Sequence, residues 1–521
     1  MVFLLATAPA AGKKPDATFP PGFLWGTAVS GFQTEAGASP AGSDPRSDWW
    51  VWTHDQANID SMVVSGDLPE NGPGSYDLFG TDLKLAKQLK NNAFRTGIEW
   101  SRIFPASTRS VDASSGITAN TLRELDALAN QQAVAHYRRV LETARKRHLE
   151  LLVTLNHFSL PLWVHDPIAV RDALAKVPSD TLPSDFGGPA GWLDSDIGDE
   201  FSKYAAYVAW KFGDLVDLWS PINEPLVVAT NGFVNLPGVG GGFPPGAFNF
   251  RAVLTAVLNM VQSNAAAYDA VKAWDRSDAD SDGSSGHVGL VHNMVAFTPR
   301  NPASAGDVSG TAHADYLFNR LFLNAAIRGQ VDSNVNTTIE PSEVHPELAG
   351  KADFVGINYY LRARVMALGF PITYVIPILD FLPSTSYQTP QNPAAQPCPT
   401  TCTEFGWEIY PEGLRQVLEI AGGYGLPVYI TENGIADSND DQRAGYLLKH
   451  LAALHGAMVD GVADVRGYFH WSLIDNFEWS SGYYPKFGLY SYDPVTLSRT
   501  ARPSASLYRR IAQNNAIPLP R

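Results

Sequence analysis

The sequence predicts an α/β fold closed into a single (β/α)8 barrel of the TIM type, from three observations. Eight short apolar runs recur along the 521 residues, and longer segments of helical character separate them. The runs are apolar on both faces, as parallel strands covered by helices must be. No Gly-x-Gly-x-x-Gly turn follows the first run, which argues against an open, doubly wound sheet.

The predicted strands span residues 23–30, 93–100, 149–156, 215–223, 287–295, 353–360, 427–432 and 465–473. Leu-Leu-Val-Thr-Leu in the third and Val-Gly-Leu-Val in the fifth show the two-faced apolar character most plainly. Helices are expected over 82–91, 129–147, 199–212, 250–273, 312–328, 410–421 and 441–460. Segments 39–76, 107–128, 167–197, 233–249 and 367–404 are rich in Gly, Pro, Ser and Asp and read as loops. Those that follow strands would wall the C-terminal mouth of the barrel. One catalytic domain over 19–521 is the economical organisation, because barrels often exceed 250 residues as one unit.

Residues 1–18 carry an apolar patch followed by small residues, with no basic residue ahead of it. They read as a signal-peptide remnant or a frayed terminus; the reading leans towards export, with a cytoplasmic location as the alternative. The apolar stretch 365–382 is interrupted by Pro371, Pro377 and Asp380, which argues against a membrane span and for a loop on the barrel rim.

Hydrophobic residues make up 45% of the chain and charged ones 17%, which allows a large core. Against 53 acidic residues stand 38 basic ones, a net charge of -15 with no basic run, so nucleic acid and anionic membrane would be repelled. Aromatics suit sugar stacking as well as core filling. Cys398 and Cys402 lie in a loop-like stretch without a histidine ligand, which disfavours zinc; their closeness permits a small disulfide without requiring one. Asp278-Ala-Asp-Ser-Asp-Gly283 matches the start of a calcium-binding loop. Position twelve, however, is Gly289 where a bidentate glutamate is needed, so the segment reads as a solvated acidic loop. No metal or cofactor is expected.

Two strands end in a glutamate beside an asparagine and a breaker: Asn223-Glu224-Pro225 on the fourth and Glu432-Asn433-Gly434 on the seventh. Two acids delivered to one rim are what glycoside cleavage requires. The competing reading of each is a simple cap that ends a strand or opens a helix.

Seven motifs in order carry a resemblance over nearly the full length: Phe-Pro-Pro-Gly-Phe-Leu-Trp-Gly-Thr-Ala, Glu-Trp-Ser-Arg-Ile-Phe-Pro, Asn-His-Phe, Asn-Glu-Pro, Gly-Ile-Asn-Tyr-Tyr, Thr-Glu-Asn-Gly and His-Trp-Ser-Leu-Ile-Asp-Asn-Phe-Glu-Trp. The chain resembles glycoside hydrolase family 1. Segments such as Ser-Gly-Asp-Leu-Pro-Glu-Asn-Gly-Pro-Gly are similar to its archaeal β-glycosidase branch. The resemblance implies Glu224 as acid/base and Glu432 as nucleophile, with Arg95, Asn358 and Tyr360 supporting them. It implies Gln33, His157, Asn223, Glu478 and Trp479 as sugar contacts and Trp471 as the platform under the ring. His157 could otherwise be a core histidine and Gln33 a loop amide, while Trp471 and Trp479 could be core filler. Glu478 between apolar neighbours would then be an unexplained cost.

The expected activity is a retaining exo-β-glycosidase on β-glucosides, with β-galactosides or β-fucosides as further substrates. A carboxylate at 478 would repel a 6-phosphorylated sugar. Transglycosylation at the same site and a non-catalytic sugar-binding barrel are the alternatives, and a homo-oligomer is compatible with the chain. One departure from the family pattern is Ser220-Pro-Ile-Asn-Glu-Pro, where Pro221 removes a backbone donor inside a strand, so distorted pairing is expected there.

Overall fold

A computed structural model describes residues 17–235 and 242–518, and its centre is a closed eight-stranded parallel barrel. The strands are β1 (Leu24–Ala28), β2 (Ala93–Gly97), β3 (Glu150–Asn156), β4 (Leu218–Ile222), β5 (His287–Asn293), β6 (Phe354–Asn358), β7 (Val428–Asn433) and β8 (Val465–Trp471). Each falls within or close to its predicted run. β8 pairs β1, with Gly467 opposite Leu24, and closes the ring.

Surrounding the barrel are α1 (Ser75–Gln88), α2 (Gln131–Arg145), α3 (Ile197–Phe212), α4 (Phe250–Trp274), α5 (Leu321–Arg328), α6 (Glu412–Gly422), α7 (Arg443–Val459) and α8 (Pro503–Asn514). In α6 the buried residues Gly413, Leu414, Val417, Leu418 and Ala421 recur at helical spacing, so one stripe faces the barrel. Truncating fully buried Leu414 to alanine should cost about 2 to 5 kcal/mol. Asn130 starts α2 by accepting from the backbone N–H groups of Gln132 and Ala133.

The predicted helix 312–328 is instead a composite. A helix over Ala305–Asp315 passes through a π-helical stretch, Tyr316–Arg320, into α5. The bulge has a cause: the Phe318 carbonyl pairs with His292 Nε2 at 2.7 Å, and the Asn319 amide bonds both the N–H and the C=O of Val295. Helix bonding is exchanged for bracing of the chain around the end of β5.

Several segments expected as loops contain helices, namely Asp48–His54, Gln56–Asp60, Ala119–Leu128 and Pro167–Leu174. The helix Pro225–Phe233 and helix α8 were not anticipated at all. The 367–404 segment is not simply a loop. Its strand Phe381–Ser384 pairs antiparallel with Arg362–Ala367, which also pairs with Ala296–Pro299. Cys398 and Cys402 form a disulfide there. Buried Glu408 anchors the segment: despite burial its carboxyl is held at about 2 by Arg362, Arg364 and Thr400.

No helix among the described residues is long and apolar enough to cross a membrane. Most of the segment expected as a signal remnant, residues 1–16, lies outside the described residues. Ala17 and Thr18, placed in that segment by the sequence reading, instead pair antiparallel with Ile517 and Ala516.

Pro221 acts as expected. Pairing to β3 passes from Ser220 opposite Thr154 to Ile222 opposite Asn156. The β4 to β5 ladder stops at Trp219 opposite Val288 and resumes as an isolated bridge at Asn223 opposite Val291. Register with β3 is preserved, whereas that with β5 shifts by one residue across the break; Asn223 and Glu224 still reach the rim.

Candidate active site

Glu224 lies one residue beyond Asn223 at the end of β4, in the left-handed region with φ of 50°. A non-glycine residue there carries strain of order 1 to 3 kcal/mol that the surroundings must offset. It occupies the N-cap position of Pro225–Phe233, yet its side chain makes no capping bond. The carboxylate turns instead to the barrel mouth, where Asn358 Nδ2 donates to Oε1 at 2.5 Å and Asn293 Nδ2 at 3.4 Å. The cap reading of this glutamate is thereby excluded.

Glu432 belongs to β7 and meets stronger donors. Arg95 from β2 forms a buried ion pair with Oε1, and Tyr360 donates to Oε2 at 2.5 Å. Arg95 also donates to Asn223 Oδ1 at 2.6 Å, and Asn358 Nδ2 reaches that same oxygen at 3.1 Å. The two glutamates are thus joined through Arg95 of β2, Asn358 of β6 and Asn223, the residue next to Glu224 at the end of β4. Gly434 explains the Glu-Asn-Gly wording: a Cβ there would stand 1.8 Å from the Trp471 carbonyl oxygen.

The electrostatics divide the pair. Burial, then the charge of Glu432, pushes the Glu224 carboxyl up to about 8, offset only in part by Asn358, by the charge of Arg95 and by Asn293. Burial raises Glu432 as well, but Arg95 and the Tyr360 hydroxyl act against it. Arg95 and Tyr360 thus favour the charge on Glu432, and with it the proton on Glu224.

The sugar-contact candidates gather at the same mouth. Gln33 Nε2 donates to Asn476 Oδ1 at 3.1 Å, to the Phe477 carbonyl at 2.9 Å and to Glu478 Oε2 at 3.4 Å. The His157 ring stacks near-parallel to Trp471 at 5.8 Å and to Trp479 at 6.0 Å, and its Nε2 lies 3.4 Å from Asn223 Nδ2. Burial holds His157 well below its ordinary pKa, so it is a neutral imidazole. Trp479 is packed from behind by Phe32, Trp49 and Phe158. Burial, then Glu432 and Glu224, pushes Glu478 up to about 8.

That last value weakens an expectation: a carboxyl raised this far carries less charge near neutral pH than the fixed anion on which phosphate repulsion relied. Sequence reasoning also missed two residues. Asn293 ends β5 just as Asn223 and Asn358 end their runs, and that position was the available signal. Asn476 fixes the Gln33 amide and carried no signal apart from its place in the last motif.

With this geometry in view, comparison with known proteins is decisive. The family model described as glycosyl hydrolase family 1 matches residues 15–169 and 180–517. The chain belongs to glycosyl hydrolase family 1. It is 39% identical to a β-galactosidase of Pyrococcus woesei, over 96% of this chain and 98% of that one. A β-galactosidase of Saccharolobus solfataricus is also 39% identical, with 96% of each covered. Among solved structures, the β-glycosidase of Thermosphaera aggregans superposes with a TM-score of 0.82 at 37% identity, over 96% of this chain and 98% of that one. This family 1 chain is a glycoside hydrolase, and both glutamates stand in motifs on which that resemblance rested.

Proposed function

We propose that this family 1 enzyme hydrolyses terminal non-reducing β-D-glucosides, and also β-galactosides and β-fucosides, with retention of configuration. The carrying observation is the unequal provisioning of two joined carboxylates: an arginine and a phenol on Glu432, neutral amides alone on Glu224.

In the first step the Glu432 carboxylate attacks the anomeric carbon while the glycosidic C–O bond breaks. Glu224 gives its proton to the departing oxygen. Forming the ester removes the negative charge that raised Glu224, so its pKa falls and it becomes a base. Glu224 then takes a proton from water, the hydroxide attacks the same carbon, and the ester C–O bond breaks to free Glu432. Two inversions leave the anomer unchanged.

Relatives named for β-galactosides and others named for β-glucosides, such as the β-glucosidase A of Thermotoga maritima at 29% identity, support a tolerant glycone site. The Gln33 amide as side-chain partner of Glu478 supports a neutral sugar hydroxyl as the group held there. Rates on an aryl β-glucoside for the wild type, Glu432→Ala and Glu224→Gln test the site; equal rates in all three would refute it. NMR of the first-released sugar tests the stereochemistry, and an inverted anomer would overturn retention.

Two secondary readings belong here. The Cys398–Cys402 disulfide supports an oxidising, extracytoplasmic location, which fractionation of the source cells would test. A homo-oligomer is proposed on the precedent of a 37% identical β-glucosidase mutant derived from a tetrameric structure, and light scattering would check it.

A further inference from the structure

At the opposite end of the barrel from the active site, the acidic loop 278–283 is not simply solvated. It precedes β5, and the pairing of β4 with β5 begins with Leu218 opposite His287. The residue just before that pair is Asp217, whose carbonyl accepts the N–H of His287 at 2.7 Å. The ladder therefore brings a carboxylate from the start of β4 against the loop.

Asp217 is only 1% exposed, and among the described residues neither of its carboxylate oxygens meets a hydrogen-bond donor. A buried acid without a partner costs several kcal/mol in general and calls for a compensating group. Its neighbours are further acids. One carboxylate oxygen from each of Asp217, Asp278 and Asp280 lies within 4.8 Å of the others, and Asp217, Asp282 and His287 form a second, overlapping group. Burial, then Asp280, pushes the Asp217 carboxyl up to about 7. No lysine or arginine is paired with Asp217, Asp278, Asp280 or Asp282 among the described residues, so a cation from solution is the group that would satisfy them.

We propose that Asp217, Asp278, Asp280 and Asp282 form a calcium site in which Asp217 supplies, from a distant part of the chain, the acid that position twelve of the loop lacks.

The chemistry favours calcium. Oxygens that share one calcium ion at about 2.4 Å can stand at most about 4.8 Å apart, and a flexible set of carboxylates with loop carbonyls suits its irregular coordination. Carboxylates alternate at 278, 280 and 282. Gly283, with φ of 95°, makes the turn a sixth position needs. Asp278 accepts the N–H groups of Ser281 at 2.6 Å and Gly283 at 3.0 Å, which curls the loop about that carboxylate. His287 Nε2 lies 3.3 Å from Asp282 Oδ2 and orients it.

The full-length protein, stripped with chelator and titrated with calcium chloride in a calorimeter, should bind one ion per chain. The expected Kd is on the order of 10⁻⁴ to 10⁻³ M. Calcium at a hundredfold excess over that Kd should raise the thermal midpoint by about 2 °C, with hydrolysis of an aryl β-glucoside unchanged. Asp217→Asn and Asp280→Asn should each abolish binding and the shift; the second lies in the exposed loop and keeps the test decisive if the first fails to fold. Absence of calcium binding overturns the proposal. So does binding that survives in the folded variants, or binding of zinc chloride alone, which would assign the site to His287.

Discussion

Two clusters in this enzyme are built from the same parts. At the mouth, Glu432 is paired with Arg95 and Tyr360 while Glu224 stands at about 8. Just past the ends of β1 and β2, Glu35 is paired with Arg102 and accepts from the Tyr137 hydroxyl at 3.0 Å. Its neighbour Glu99 is also pushed to about 8, by burial and then by Glu35. What differs is occupancy. Both oxygens of Glu99 are used, one by the Phe32 N–H and one by the Ser159 hydroxyl, whereas among the described residues Glu224 is bonded through Oε1 alone. A raised pKa therefore marks a buried acid and not by itself a proton donor; what sets Glu224 apart from Glu99 is a second oxygen at the mouth without a bond among the described residues.

The largest test of that contrast is removal of the proposed nucleophile: Glu432→Ala should lower turnover on the order of 10⁴-fold or more. Next is Glu224→Gln, expected to cost about 10² to 10⁴-fold on alkyl glucosides and much less on aryl glucosides whose leaving groups need little protonation. Equal losses on both substrates would deny it the acid role. Tyr360→Phe should cost about tenfold or somewhat more, and by removing a donor from Glu432 it should move the acid limb of the pH–rate profile upward.

The pH dependence carries the same contrast. On the proposed mechanism activity requires the proton on Glu224, so kcat/KM should decline as pH rises through about 8. Stability has the same sign. Glu224, Glu99 and Glu478 are raised in the folded state above an ordinary 4.5, so their contribution is full below about 4.5 and is lost as pH climbs through about 8. Glu99→Gln, the smallest change, should flatten this decline in thermal midpoint while leaving turnover within about threefold. Loss of turnover like that of Glu224→Gln would collapse the distinction between the clusters.

The barrel was legible in the sequence because two-sided burial leaves continuous apolar runs, and both glutamates because breakers follow them. Helix Pro225–Phe233 was not legible: it begins at the very proline that ends the strand and is apolar on nearly every side, so no period shows. Ala119–Leu128 hid in a polar insertion although Thr118 and Thr121 form a reciprocal cap. Asn293 was missed because a lone amide at a strand end has no distinctive neighbour. Asp217 could not be found by reading along the chain, since its relation to the 278–283 loop exists only through the register of β4 and β5.

The near-contact of Gly434 with the Trp471 carbonyl reaches beyond the wording of one motif. With the ladder between β7 and β8, it leaves no room for a side chain between the backbones that carry Glu432 and Trp471. Redesign for a bulkier terminal sugar would therefore have to work through the walls supplied by the surrounding insertions, because the gap between those two strands cannot be opened by substitution at Gly434.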